Sequence, residues 1–345
     1  MVTEAEWEEI ALEALAQHGW TWLAGTEILP GKEDGRTSWS DIVLPVRLLA
    51  AMRKLNPLVP GQYLQQALAA ILQPASQDAV AENFRMHQFL VHGYRGISYV
   101  DSSGVDQNPT IQLVGPRVDE NEFLAVNQVT VRTAEQERRY DVVLYLNGLP
   151  VVIVELKKAG SVQADLTGAH AQLATYLHEF PMTFRCCVLA IVSDGIRARY
   201  GTPFTPLHHF SPWNVDDDGR PITPGESATD TEQLGVELEY VIDGVGNQER
   251  FLQLLRGFTA FDAGADGYTK RIAKPHQYFA VTKAVASTVT AVESHGKAGV
   301  VWHTQGSGKS MEMELYAHAV SRQPKLKNRN HSGLSASRHG FGRRR

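Results

Sequence analysis

Residues 140–158 read YDVVLYLNGLPVVIVELKK, two apolar runs hinged at Asn147-Gly148. Asn-Gly between hydrophobic runs is a strong hairpin signal, because both central positions of the favoured turn need positive φ. Three charged side chains stand out against this background: Asp141, Glu155 and Lys157. Glu155 and Lys157 are two apart and share a strand face, and Asp141 falls on the neighbouring strand. A plain two-residue turn pairs Leu146 with Leu149 and Asp141 with Val154, which puts the two carboxylates on opposite faces. A three-residue connection, or one bulge, pairs Asp141 with Glu155 and gathers all three, and this is the arrangement expected. Two carboxylates suit a hard divalent cation such as Mg²⁺. Lys157 beside them would orient a water or offset developing charge in phosphodiester hydrolysis. If the three do not meet, an acid and a lysine merely end a strand.

Working outward, Thr3 and Glu6 form a capping box ahead of Trp7, Ile10, Ala11, Ala14 and Leu15 at helical spacing. Helical patterns recur at 44–54, 61–73 and 78–91, punctuated by Pro57, Pro60, Gly61 and Pro74. Residues 111–114 and 123–132 join 140–156 in an antiparallel meander. A helical pattern at 162–180 then leads to a buried strand within 183–193, so the crossover implies a parallel pairing. On that helix Gln172 and Tyr176 are four apart and share one face, from which they could touch a DNA backbone. Residues 202–235 read as a long surface loop. Within it Asn214–Gly219, NVDDDG, starts like a calcium loop, but Gly225 stands at the twelfth position where an acid is needed. Further helices are expected at 247–258 and 276–293, and a short strand, GVVW, at 299–302.

Composition bounds these readings. The 345 residues suffice for about two domains, and 43% hydrophobic with 21% charged residues excludes wholesale disorder. No run approaches the roughly 18 apolar residues of a membrane span, and the acidic N-terminus lacks a signal peptide's basic head, so a cytoplasmic location is expected. Cys186 and Cys187 are adjacent in an apolar run, which argues for buried hydrophobes over a disulfide or zinc framework. The net charge is −5, yet the last 25 residues carry eight Lys or Arg and no acid. An acidic body argues against indiscriminate nucleic-acid binding.

The order of these landmarks resembles the PD-(D/E)xK nuclease superfamily, in particular the N-terminal part of the restriction subunit of type I restriction-modification enzymes. The resemblance rests on NEFLAVNQVTV at 121–131, RRYDVVLYLNGLPVVIVELKK at 138–158, QLATYL at 172–177, VSDG at 192–195, KPHQYFAVTKAV from Lys274, and GVVWHTQGSGKS at 299–310. It implies an α/β fold: a restriction-endonuclease-like core of mixed β-sheet flanked by helices, with extra N-terminal helices, over residues 1–262. An incomplete RecA-like P-loop segment would follow at 263–328, then a basic tail at 329–345. Catalytic and metal roles are carried onto Asp141 and Glu155, a catalytic role onto Lys157, and the QxxxY element onto Gln172 and Tyr176. An upstream acid often completes such sites; Glu8, Glu9 and Glu82 all remain open. DNA as substrate and modification and specificity subunits as partners follow from the same resemblance.

At 303–310 HTQGSGKS follows GVVW and opens a helical pattern, the context of a phosphate-binding loop. Gly306, Gly308 and Lys309 would then cradle ATP phosphates, Ser310 would bind Mg²⁺, and Gln277 would read adenine. Only 35 residues follow Ser310, none of them an acidic strand that could hold the Mg²⁺ for hydrolysis. The expectation is therefore ATP binding without hydrolysis or translocation, and a weakly folded segment from about 296 onward. After LKN at 326–328 the chain turns polar and basic; Arg329–Gly333 can be encoded so that a one-nucleotide shift reads ATIVV, which suggests a frameshift truncation. Two rival readings are a non-catalytic remnant that docks on partner subunits, and an ATP-binding module whose nuclease motif is idle.

Overall fold

The segment around Asn147-Gly148 builds the centre of the molecule. In the computed structural model the described residues are 3–157, 165–222, 236–265, 267–294, 296–304 and 306–326. Strands β4 (Phe123–Arg132), β5 (Glu137–Leu146) and β6 (Leu149–Leu156) form the meander. Asn147 and Gly148 take φ of 52° and 80°, and a Cβ on Gly148 would stand 2.5 Å from the Leu44 carbonyl oxygen, so glycine is needed there twice over. Helix α5 (Leu166–Glu179), capped by Asp165 accepting from the Gly168 amide, carries the chain over to β7 (Leu189–Ser193), which lies parallel to β6. Short strands β1 (Thr21–Ala24) and β8 (Ala198–Gly201) close the edges, giving a six-stranded mixed sheet of order β1-β4-β5-β6-β7-β8. Every residue of β6 and β7 is buried, as expected when both faces of a sheet are covered.

Helix α1 (Glu4–Gln17) has its Thr3–Glu6 capping box and buries Trp7, Ala11, Leu12 and Leu15. Helices α2 (Pro45–Leu55), α3 (Gly61–Leu72) and α4 (Ala79–His92) follow the expected spans. A two-strand ribbon, β2 (Tyr99–Val100) and β3 (Asp106–Gln107), comes next, whereas 111–114 contributes only a single bridge, Tyr94–Ile111. Asn56 explains this: its side chain accepts from the Gln112 amide at 2.8 Å and donates to the Gln112 carbonyl, satisfying backbone that a neighbouring strand would otherwise pair.

Of the stretch read as a surface loop, the described part, 202–222, is anchored to the fold at Phe210 and Trp213. Trp213 is 2% exposed, stacked beneath Gly244 of α6 (Val236–Val245), and NVDDDG is a turn in which Asp216 accepts from the Arg220 amide. Gly225 lies outside the described residues. After α7 (Gln248–Gly257), β9 (Thr259–Gly264) and β10 (Gly267–Ile272) form an antiparallel hairpin. A boundary at residue 262 would cut β9; the compact units divide instead into Met1–Pro275 and His276–Arg345.

Lys270 on β10 is 1% exposed and donates to Asn83 Oδ1 at 2.9 Å and the Cys187 carbonyl at 2.6 Å, tying the hairpin to α4 and the turn before β7. Burial lowers its pKa to about 7. A lysine depressed in the folded state binds fewer protons than the unfolded chain between about pH 7 and its ordinary pKa, so stability rises with pH there. Urea unfolding should gain about 2 kcal/mol between pH 7 and 9. Lys270→Met should flatten that rise, and an unchanged slope in the variant would show that another group carries it.

The second unit contains α8 (Pro275–Glu293), α9 (Lys309–Arg322) and a short 3₁₀ turn, Pro324–Leu326. Thr288 Oγ1 and the Tyr316 hydroxyl, 2.6 Å apart, link the two helices. The strand expected at 299–302 is not formed: among the described residues no strand pairs with it, and Val300 and Trp302 are 91% and 89% exposed. An unpartnered apolar run has no ladder to complete. The tail at 329–345 lies outside the described residues. Among those described, no helix is long and apolar enough to cross a membrane.

Candidate active site

The Asn147-Gly148 hairpin keeps its two-residue turn, Leu146 opposite Leu149, and then bulges at Val151: Tyr145 faces Pro150 and Leu144 faces Val152. The inserted residue shifts the pairing so that Val142 faces Val154, and Asp141 therefore comes opposite Glu155. Asp141 Oδ2 accepts from the Leu156 amide at 2.7 Å, fixing its side chain across to β6. Glu155 is fully buried, and its Oε1 lies 2.7 Å from the Lys157 ammonium, which is 20% exposed. The Lys157 amide donates to the Ser193 carbonyl, holding the end of β6 against β7. Lys158 lies outside the described residues.

Of the three upstream acids, Glu8 reaches this place. On α1 it falls on the same stripe as Ala11, Leu12 and Leu15, and it is 7% exposed. Gln128 Nε2 donates to its Oε1 and Asn127 Nδ2 to its Oε2. Burial, followed by repulsion from Asp141, raises its pKa to about 7. Glu82 lies in a different network, on α4, where it receives the Ala75 amide and the Arg85 guanidinium. Glu9 is exposed and lines the same cavity as Glu8. That cavity, of about 770 Å³, is bordered by Glu8, Trp22, Gln128, Arg139 and Asp141 among others.

Sequence reasoning missed Asn127, Gln128, Arg139 and Trp22. A usable signal was present for Glu8, a carboxylate on an apolar helical stripe; none was present for Gln128, whose left-handed φ of 55° in mid-strand is a strained conformation.

Gln172 and Tyr176 meet as expected, with Gln172 Nε2 donating to the Tyr176 hydroxyl. The hydroxyl in turn donates to the Arg139 carbonyl at 3.2 Å, and Tyr176 is 3% exposed. This differs from an outward DNA-contacting role: Tyr176 fastens α5 to β5 two residues before Asp141. Burial, with the nearby charges of Glu155 and Asp141, raises its pKa and keeps it neutral.

In the second unit Gly306 and Gly308 take φ of 84° and 86°, and α9 starts at Lys309. Lys309 Nζ donates to the carbonyls of His303 and Thr304, both at 2.9 Å, in a loop that folds back on its own lysine. Gln277 Nε2 donates to the Ser307 carbonyl at 3.1 Å, so its amide braces the loop where an adenine-reading role was expected. The φ of 86° at Gly308 is one that favours glycine, and a Cβ there would also sit 2.4 Å from that amide, which would have to move aside.

The first unit thus carries a mixed sheet with several carboxylates gathered at one hairpin, and the second a loop with two positive-φ glycines ahead of α9. Residues 1–209 match the family model for the type I restriction enzyme R protein N terminus, and the chain belongs to this family. Residues 276–331 match a SWI2/SNF2 ATPase model. The chain is 34% identical over 335 residues to the type I restriction enzyme HindI endonuclease subunit of Haemophilus influenzae, covering 95% of this chain and 31% of that protein. It is 26% identical over 337 residues to the putative type I restriction enzyme MjaIXP endonuclease subunit of Methanocaldococcus jannaschii, covering 92% and 31%. The chain thus spans about a third of the length of these relatives.

Proposed function

We propose that the first unit is a Mg²⁺-dependent DNA endonuclease with a PD-(D/E)xK site, in which Asp141, Glu155 and Lys157 are catalytic. The observation that carries this reading is the bulge at Val151, which brings Asp141 opposite Glu155 and beside a lysine in ion-pair contact. Asp141 and Glu155 are hard oxygen donors suited to Mg²⁺, and Glu8, held by Asn127 and Gln128, adds a further carboxylate on the cavity that Asp141 borders, with Glu155 buried beside it on β6. A bound Mg²⁺ would polarise the scissile phosphate and lower the pKa of its water. Lys157 orients the attacking water and offsets charge developing on the phosphate. Exposed Arg139 at the cavity rim takes the neighbouring phosphate, a contact that positions the duplex without reading its sequence. Tyr176 and Gln172 hold β5 so that Asp141 keeps its register.

The second unit is proposed to bind ATP through Gly306, Gly308, Lys309 and Ser310, with Lys309 leaving its own loop carbonyls for the β/γ oxygens. The chain is further proposed to act with modification and specificity subunits, the partners that the resemblance to type I restriction-modification enzymes implies. Incubating the 345-residue chain with plasmid DNA tests the nuclease. Cleavage should require Mg²⁺ or Mn²⁺, stop with EDTA and proceed without ATP; uncut plasmid with folded protein and metal present would defeat the reading.

A further inference from the structure

Beside the phosphate loop, three side chains from three segments converge. His276 lies in the first turn of α8, His303 opens the loop, and Glu312 lies in the first turn of α9. Their ligand atoms all lie within 4.8 Å of one another. His303 Nδ1 is 2.7 Å from Glu312 Oε1, and His276 Nε2 is 4.0 Å from the same oxygen. The two imidazole rings lie edge to face at 5.3 Å.

We propose that His276, His303 and Glu312 form a site for one divalent transition cation of the zinc class, with a fourth position left to water. Tetrahedral bonds of about 2.0–2.2 Å put neighbouring ligand atoms roughly 3.4 Å apart. The separations of 2.7 and 4.0 Å straddle that value and the third is at most 4.8 Å, so adjustments of about 1 Å or a little more close the set around an ion. Two imidazoles and one carboxylate favour a borderline cation and disfavour Mg²⁺, which distinguishes this site from any Mg²⁺ held by Ser310 or by the nuclease carboxylates. Glu312 is 6% exposed, and its charge would offset that of the ion. An entry route exists, since a cavity of about 660 Å³ is bordered by His303 and Glu312. His276 Nε2 now contacts the Ser307 carbonyl at 3.0 Å and would exchange that contact for the ion. The bound ion would join α8, the loop and α9 at one point, a constraint useful to a segment whose apolar run 300–302 has no pairing strand among the described residues.

The test uses the full chain, stripped with chelator and titrated with Co²⁺. One equivalent should bind with the intense visible absorption of a tetrahedral ion, and Zn²⁺ should bleach it. Octahedral Co²⁺ at the oxygen-rich nuclease site absorbs far more weakly and should disappear separately in Glu155→Gln. Glu312→Gln, which preserves volume, and His303→Ala should each weaken the tetrahedral site at least tenfold. Replacing His208 and His209, an exposed pair with rings 4.2 Å apart, by alanine should leave it unchanged. Equal affinity in Glu312→Gln and His303→Ala, a signal that follows His208 and His209, or no tetrahedral signal from wild type would each overturn the proposal, leaving a hydrogen-bonded His–Glu pair only.

Discussion

Glu155→Gln is expected to slow plasmid cleavage roughly 10³-fold, about 4 kcal/mol of transition-state stabilisation, with the fold intact. The substitution keeps the shape of the side chain and an oxygen for the Lys157 ammonium now 2.7 Å away, so packing inside β6 is preserved. It removes one negative charge from a place where Asp141 already raises the Glu8 pKa by repulsion. Relief of like-charge crowding works against any loss of ion-pair energy, and the melting temperature should not fall. The combination is diagnostic: a site built for metal and phosphate accepts repulsion between its own carboxylates, and neutralising one of them removes activity without removing stability. Cleavage assays beside thermal melts read both effects. A variant that cuts at the wild-type rate would show that Glu155 merely pairs with Lys157 at a strand end.

The candidate site was legible because the chemistry proposed for it constrains the register. In LPVVIV the residues on both faces of β6 are apolar, so alternation alone does not say which face Glu155 shares with Asp141. Only the requirement that Asp141 meet Glu155 demanded an odd residue, and the bulge at Val151 supplies it. Other features lacked such a handle. Strands β1 and β8 are four residues each, too short to establish a period. The β9–β10 hairpin escaped because its deeply buried residue is Lys270, whose burial depends on Asn83 and the Cys187 carbonyl far away in sequence. The opposite error arose at Val300–Trp302, where an apolar run reads as a strand but pairing depends on neighbours that no local pattern reveals. Glu8 had a local cue and still needed the fold, since the side chains that hold it, Asn127 and Gln128, are more than a hundred residues along the chain.

Trp213→Ala is expected to destabilise the first unit by about 3–5 kcal/mol, the range for emptying a large aromatic site in a core. Polarity and proline content mark its segment as surface loop, where substitutions cost about 0.5 kcal/mol or less, so the two readings differ several-fold. The indole is 2% exposed and lies 5.6 Å from the Tyr200 ring. Above it sits the Arg250 guanidinium, 5.3 Å from the ring and bonded to the Asp243 and Gly244 carbonyls and to Asp217. A Cβ on Gly244 would come 2.1 Å from the indole, so α6 approaches this ring through a glycine and loses its support when the ring is removed. The Arg250 cation would then stand over a void instead of a π face. Gly244→Ala attacks the same contact from the other side and should destabilise by overpacking, typically about 1–3 kcal/mol. Because the two changes share one contact, their combination should fall short of the sum: a shortened Trp213 side chain leaves space for the added methyl. Urea unfolding of the three variants measures this coupling. A fully additive double variant would mean that Trp213 and Gly244 stabilise the chain through separate contacts.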